Sequence, residues 1–237
     1  IGLEEIDQSS RYGSDGQLQS TIDMRSLEEN GSSPLDPDYT HTLNTLEHEI
    51  LHRWSAHAKF LAADGSVSEA LLGPDKSHWN YLLDSDGSLQ YGNDWRDNGD
   101  GTFTSVAIRQ SYSPLDLYLM GMIDKSAVPP MLLIDNPALS GVYLPKLGDT
   151  ISGTARTVTI EQIIAAMGER NPSASDAPKS FRAAFIFVTR PDSFSGRELA
   201  SLEAIRNGFL TRFSILTDGR GLIQVTPTLL PNLPVNP

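Results

Sequence analysis

Cysteine is absent from the 237 residues, and with it go thiolate catalysis, disulfide cross-links and every metal site built on sulfur. Cationic side chains are scarce: 18 Lys and Arg stand against 30 Asp and Glu, a formal net charge of −12. A chain of that sign repels phosphate backbones and anionic headgroups, so nucleic acid and membrane surfaces are poor partners for it. Long apolar runs are missing too. No stretch reaches the roughly 18–20 residues that span a bilayer, and no membrane insertion is expected. The opening Ile1-Gly2-Leu3-Glu4-Glu5 has neither the basic flank nor the apolar centre of an export signal. Together with a composition rich in Asp, Asn, Ser and Gly, this predicts a secreted or extracellular, bacterial-type protein whose signal segment lies outside this chain.

What is present describes a globular chain, with 39% hydrophobic and 20% charged residues. Residues 1–35 alternate short apolar stretches with Gly, Ser and Asn, predicting one or two short strands. Asp36-Pro37-Asp38 is a helix start, and no Gly or Pro interrupts the next residues up to Ala63. Leu43, Leu46, Ile50, Trp54 and Leu61 recur at helical spacing, which predicts one long helix from about Tyr39 to Ala63. Tight Asp/Asn/Gly turns then join short strands between about 78 and 110. Ser113-Pro114 opens a short helix that Gly121 stops. Further on come strands near Met131–Ile134 and Thr157–Ile160, a helix from Glu161 to Met167, and a strand from Phe181 to Thr189. A helix from Gly196 to Ile215 and a strand near Leu222–Val225 follow.

Within the long helix lies His48-Glu49-Ile50-Leu51-His52. Two His four residues apart sit about 40° from each other around a helix axis and one turn along it, so both imidazoles can reach one tetrahedral metal ion. Glu49, about 100° from His48, projects beside that ion rather than onto it. There it can take a proton from a water that the metal has made acidic, and pass it to a leaving amine. With five His among 237 residues, this composition yields the pattern by chance in about one chain in 200. All five His fall between positions 41 and 78, a clustering that packing alone does not call for.

The pentapeptide and its helix resemble the zincin metallopeptidases. The resemblance implies that His48 and His52 bind Zn2+ and that Glu49 is the general base. It covers the motif and its helix only. The metzincin extension asks for Gly and His where Ser55 and Ala58 stand, and His57, on a continuing helix, would point away from His52. A third metal ligand must then come from downstream. Asp116, a polar residue in the apolar Leu115–Met120 stretch, is the first choice, because a buried carboxylate needs a cation or donors; the alternative is that it favours the helix N-terminus electrostatically. The arrangement looks like zincins whose third ligand is an acidic residue on a later helix, sometimes with a Tyr nearby. That makes Tyr118 a candidate to stabilise an oxyanion. His78, before Trp79, is the second choice for the metal, and Glu69 the third. Ca2+ at Asp84/Asp86/Ser88 or Asp97/Asn98/Asp100 is possible but unsupported, since neither stretch completes a calcium loop.

The expected fold class is α+β and zincin-like: a small, mostly antiparallel sheet with a long active-site helix, and a C-terminal α/β portion. Residues 1–226 form a single catalytic domain, or two lobes divided near residue 77. Residues 227–237 are a Pro-rich tail or linker to further domains of a larger exoprotein. The expected function is zinc-dependent hydrolysis of peptide bonds in a peptide or protein substrate. The alternatives are a zinc hydrolase acting on a non-peptide amide or ester, and a non-catalytic adhesion or binding module stabilised by metal.

Overall fold

The computed structural model describes residues 9–12, 16, 18–31, 33–108, 110–139, 143–190 and 194–225. The tail expected at 227–237 lies outside them, as do the first eight residues. The described chain is α+β, and its main sheet is mostly antiparallel. Contacts divide the described residues into two compact units, those up to 23 with those of 44–177, and those of 24–43 with those of 178–225. The boundary considered near residue 77 falls inside the first unit. No helix is long and apolar enough to cross a membrane.

The first unit is organised by six strands in the order β7-β5-β4-β3-β6-β8: β3 (Trp79–Asp84), β4 (Tyr91–Asp97), β5 (Thr102–Ala107), β6 (Met131–Asp135), β7 (Thr150–Ser152) and β8 (Thr154–Val158). A separate hairpin pairs β1 (Phe60–Leu61) with β2 (Val67–Ser68). Every neighbouring pair in the large sheet is antiparallel except β3 and β4, which run parallel with Trp79 opposite Tyr91. Parallel neighbours normally need a long crossover. Here the short connection after β3 returns to that strand's own start by turns at Asp86, Gly87, Tyr91 and Gly92, all at positive φ. The result puts the first residues of β3 and β4 side by side, at one end of the sheet.

One face of the sheet packs on α3 (Pro114–Met120) and α4 (Ile160–Met167) through Trp79, Leu83, Leu115, Leu119, Leu133, Val158 and Ile163, all buried. Each such large side chain contributes about 1.5–3 kcal/mol on leaving water. A second cluster joins Leu82, Trp95, Phe103, Ile134 and Ile151. Helix α3 begins as its sequence predicts, with Ser113 as N-cap, Pro114 in the first turn and Gly121 as a left-handed C-cap. In the second unit, β9 (Ser180–Ala183) and β10 (Leu222–Val225) pair in parallel across α5 (Gly196–Leu216), a βαβ arrangement; Phe181 and Phe185 pack on Phe213 and Phe209 of the helix. Ser195 and Glu198 form a capping box at its start.

Three local expectations are corrected. No strand forms among the described residues before position 36; a short α1 (Ser9–Tyr12) and a 3-10 turn at Leu27–Glu29 stand there. The strand expected to Thr189 is paired only to Ala183. Most consequential, α2 runs from Tyr39 to Leu51 and stops, instead of continuing to Ala63. The amides of Arg53 and Trp54 bond back three residues to Ile50 and Leu51, and Ala56 turns left-handed at φ 59. Neither Gly nor Pro signals the stop. Beyond the stop, Ser55 makes a tertiary contact, its hydroxyl donating to buried Asp116.

Candidate metal centre

His48 lies in the last full turn of α2, and the His52 amide still bonds to the His48 carbonyl at 3.3 Å, so helical geometry survives to the second histidine. The two imidazoles share one face, with ring centroids 4.8 Å apart. His78, the residue before β3, brings a third ring to 5.1 Å from His48 and 5.0 Å from His52. One ring nitrogen from each lies within 4.8 Å of the other two, and among the described residues no further His, Asp or Glu joins this group.

The outer nitrogens fix the tautomers. His48 Nδ1 is 2.6 Å from the Leu89 carbonyl, which can only accept, so Nδ1 carries the proton. His78 Nδ1 is 2.6 Å from the Asp75 carboxylate and is likewise a donor. In neutral rings both Nε2 atoms are therefore bare, yet they face each other at 3.1 Å. Two lone pairs at that separation repel unless a cation lies between them. Two nitrogens on a tetrahedral zinc, at about 2.0–2.1 Å each, stand about 3.3 Å apart, so the spacing fits a shared divalent ion. The carboxylate behind His78 is the usual outer partner of a metal-bound imidazole: it orients the ring and raises its basicity.

The electrostatics favour the neutral form of His48 and His52. Burial pulls the His48 pKa below its ordinary value, opposed by the Leu89 carbonyl and the nearby Glu49 carboxylate. Burial and the other two imidazoles bring His52 down to about 4. Asp75 resists the upward push of its own burial and falls to about 2, held by the Ser77 amide and by His78. Glu49 is exposed and near enough to His48 to raise that ring's pKa.

Three consecutive residues leading into β4 meet this cluster. Leu89 gives its carbonyl to His48 Nδ1, Gln90 donates its side-chain amide to the His48 carbonyl at 2.6 Å, and Tyr91 lays its ring 4.5 Å from His78 and 5.7 Å from His48. Tyr91 adopts φ 75, a left-handed conformation costing an aromatic residue about 1–3 kcal/mol. The Ser88–Tyr91 backbone bonds hold it there. Gly92 follows at φ 72, and a Cβ at that position would fall 2.2 Å from Ser85 Oγ. Sequence reading placed turns at 84–88 and 97–101 but none at Tyr91; an aromatic residue directly before Gly was the available signal.

Asp116 and Tyr118 are not brought to the histidines. Asp116 is fully buried, and its oxygens accept from Ser55 Oγ, Trp79 Nε1 (2.9 Å), and the amide (2.9 Å) and hydroxyl (2.8 Å) of Ser113. Donors, not a cation, satisfy it. It ties the turn after α2 to the residue after His78, bracing both histidine-bearing segments. Tyr118 is buried in the core and accepts from the Arg170 amide at 3.1 Å. Glu69 pairs with Lys59 at 2.7 Å. His57 stays outside the cluster, though for another reason than the one expected: the helix has ended, and its Nε2 donates to the His52 carbonyl at 3.3 Å. Glu47, next to the motif, is fully buried and accepts from Tyr112 at 2.6 Å.

The two acidic turns part company. Asp97 and Asp100 accept from the amides of Gly99 and Thr102, ordinary turn chemistry. Asp84 and Asp86 meet Asp94 with carboxylate oxygens within 4.8 Å, and burial, with Asp86 and Asp94 adding to it, pushes Asp84 up to about 6. Comparison with protein-family models, with curated proteins and with solved structures finds no match for this chain.

Proposed function

We propose that this chain is a zinc-dependent hydrolase with a zincin-like centre, and within that class a metallopeptidase acting on peptide or protein substrates outside the cytoplasm. The observation that carries the reading is the 3.1 Å approach of the Nε2 atoms of His48 and His78 beside His52, with the outer nitrogens of His48 and His78 already committed as donors. His48, His52 and His78 would hold the ion. Three neutral ligands and no fourth acidic or imidazole donor among the described residues favour an open coordination position, which a catalytic centre needs and a structural one lacks. A zinc ion held there would supply Lewis acidity towards a scissile carbonyl and a water made acidic at neutral pH.

The chain's own residues do the rest. Glu49, exposed beside His48, accepts the proton of the attacking water and returns it to the leaving nitrogen. Asp75 and the Leu89 carbonyl keep His78 and His48 in the tautomer that leaves Nε2 free. Asp116 keeps the helix end and the start of β3 in place.

Zinc-loaded Glu49→Gln tests the reading. It is expected to retain the metal and to lose turnover of casein or a peptide library by about 10²–10⁴-fold, the usual worth of a positioned base. Undiminished hydrolysis by that variant would remove Glu49 as the base and with it the mechanism; a wild-type protein that holds zinc but cleaves no peptide would remove the peptidase assignment, and ester or non-peptide amide cleavage in that case would keep the hydrolase.

A further inference from the structure

Tyr91 is an aromatic residue held left-handed at φ 75 by paired backbone bonds with Ser88, and Gly92 beside it has no room for a Cβ. Its ring lies 5.1 Å from Tyr81 at 28° and 4.5 Å from His78 at 31°, so both neighbours pack nearly parallel to it. It is nevertheless 39% exposed, beside the imidazoles, and among the described residues no protein group meets its hydroxyl. A turn that needed only to reverse direction would place Gly or Asn there. Core packing does not account for the ring either, since so much of it faces solvent.

Resting on the metal-centre reading above, we propose that Tyr91 is a specificity-determining residue. Its exposed edge, backed by Tyr81, holds a flat aromatic side chain next to the scissile bond. The stack fixes the ring's orientation in advance, so a substrate ring meets it edge-to-face with little further ordering. Such a contact discriminates by about three- to tenfold against a substrate lacking the ring.

The test uses two metal-chelating probes on the zinc-loaded full chain, N-acetyl-phenylalanine hydroxamate and N-acetyl-glycine hydroxamate, with wild type, Tyr91→Phe and Tyr91→Ala. Binding is read by calorimetry and zinc content is checked for each protein. Wild type and Tyr91→Phe are expected to prefer the aromatic probe by about three- to tenfold, and Tyr91→Ala to bind both alike with its zinc retained. Equal affinities in wild type, or a preference that survives in Tyr91→Ala, overturns the specificity role and leaves the hydrolase reading intact. Loss of zinc in Tyr91→Ala also overturns it, assigning the ring to the positioning of His78. If wild type takes up no zinc and binds neither probe, the metal centre itself fails and this role with it.

Discussion

Asp116 and His78 were rival candidates for one role, and their alanine variants should fail in different ways. Removing the Asp116 carboxylate leaves the buried donors of Ser55, Trp79 and Ser113 without their acceptor. Orphaned donors cost about 1–3 kcal/mol each, so Asp116→Ala should lose about 3–5 kcal/mol of stability with or without zinc, as read by urea unfolding. His78→Ala should change metal-free stability by about 1 kcal/mol or less and weaken zinc binding more than about 100-fold in chelator competition. Zinc held by His78→Ala as tightly as by wild type would take His78 out of the centre. At this scale the sequence was half legible. His48, Glu49 and His52 could be placed because local helix geometry alone decides their spacing. A lone carboxylate in an apolar helix answers equally to a cation or to buried donors, and the donors arrive from Ser55 and Trp79, far away in the chain.

Among the elements, the turn from Ser88 to Gly92 has effects beyond its size, because Leu89, Gln90 and Tyr91 all reach the histidines. Gly92→Ala touches no imidazole. Its Cβ would sit 2.2 Å from Ser85 Oγ at a positive φ, so the turn must shift. The expected result is a loss of about 1–3 kcal/mol in stability and a measurable drop in zinc affinity. A variant that is destabilised yet binds zinc normally would uncouple the turn from the centre. Strand composition foretold β5, β6 and the α3 cap, because alternation and capping are written locally. It could not foretell that β3 and β4 pair in parallel, and that register is what sets His78 beside Tyr91. Nor did any Gly or Pro announce the end of α2 at Leu51, and the Ser55 bond to Asp116 that follows it joins residues far apart in the chain.

For the molecule as a whole, two groups in the first unit oppose each other in acid. The unfolded chain protonates His52 near 6.5 and the folded chain only near 4, so acid across that window favours unfolding. Asp84 runs the other way: folded, it takes its proton near 6, and unfolded near 3.8, so its penalty is present above about pH 6 and fades as pH falls. Metal-free wild type should therefore lose stability gently between about pH 6.5 and 4. Asp84→Asn, relieved of the compensating term, should be the more stable protein at neutral pH and lose its advantage towards pH 4, giving a steeper acid slope in urea midpoints. Parallel slopes for the two proteins would mean that Asp84 ionises as an ordinary carboxylate. The anchoring of Ser55 and Trp79 on one carboxylate carries a last implication, for anyone moving this centre into another scaffold. A pentapeptide grafted onto a foreign helix would bring two of the donors and none of the framework. The smallest portable piece runs from residue 48 to residue 116, and a side chain that meets no reactant must travel with it.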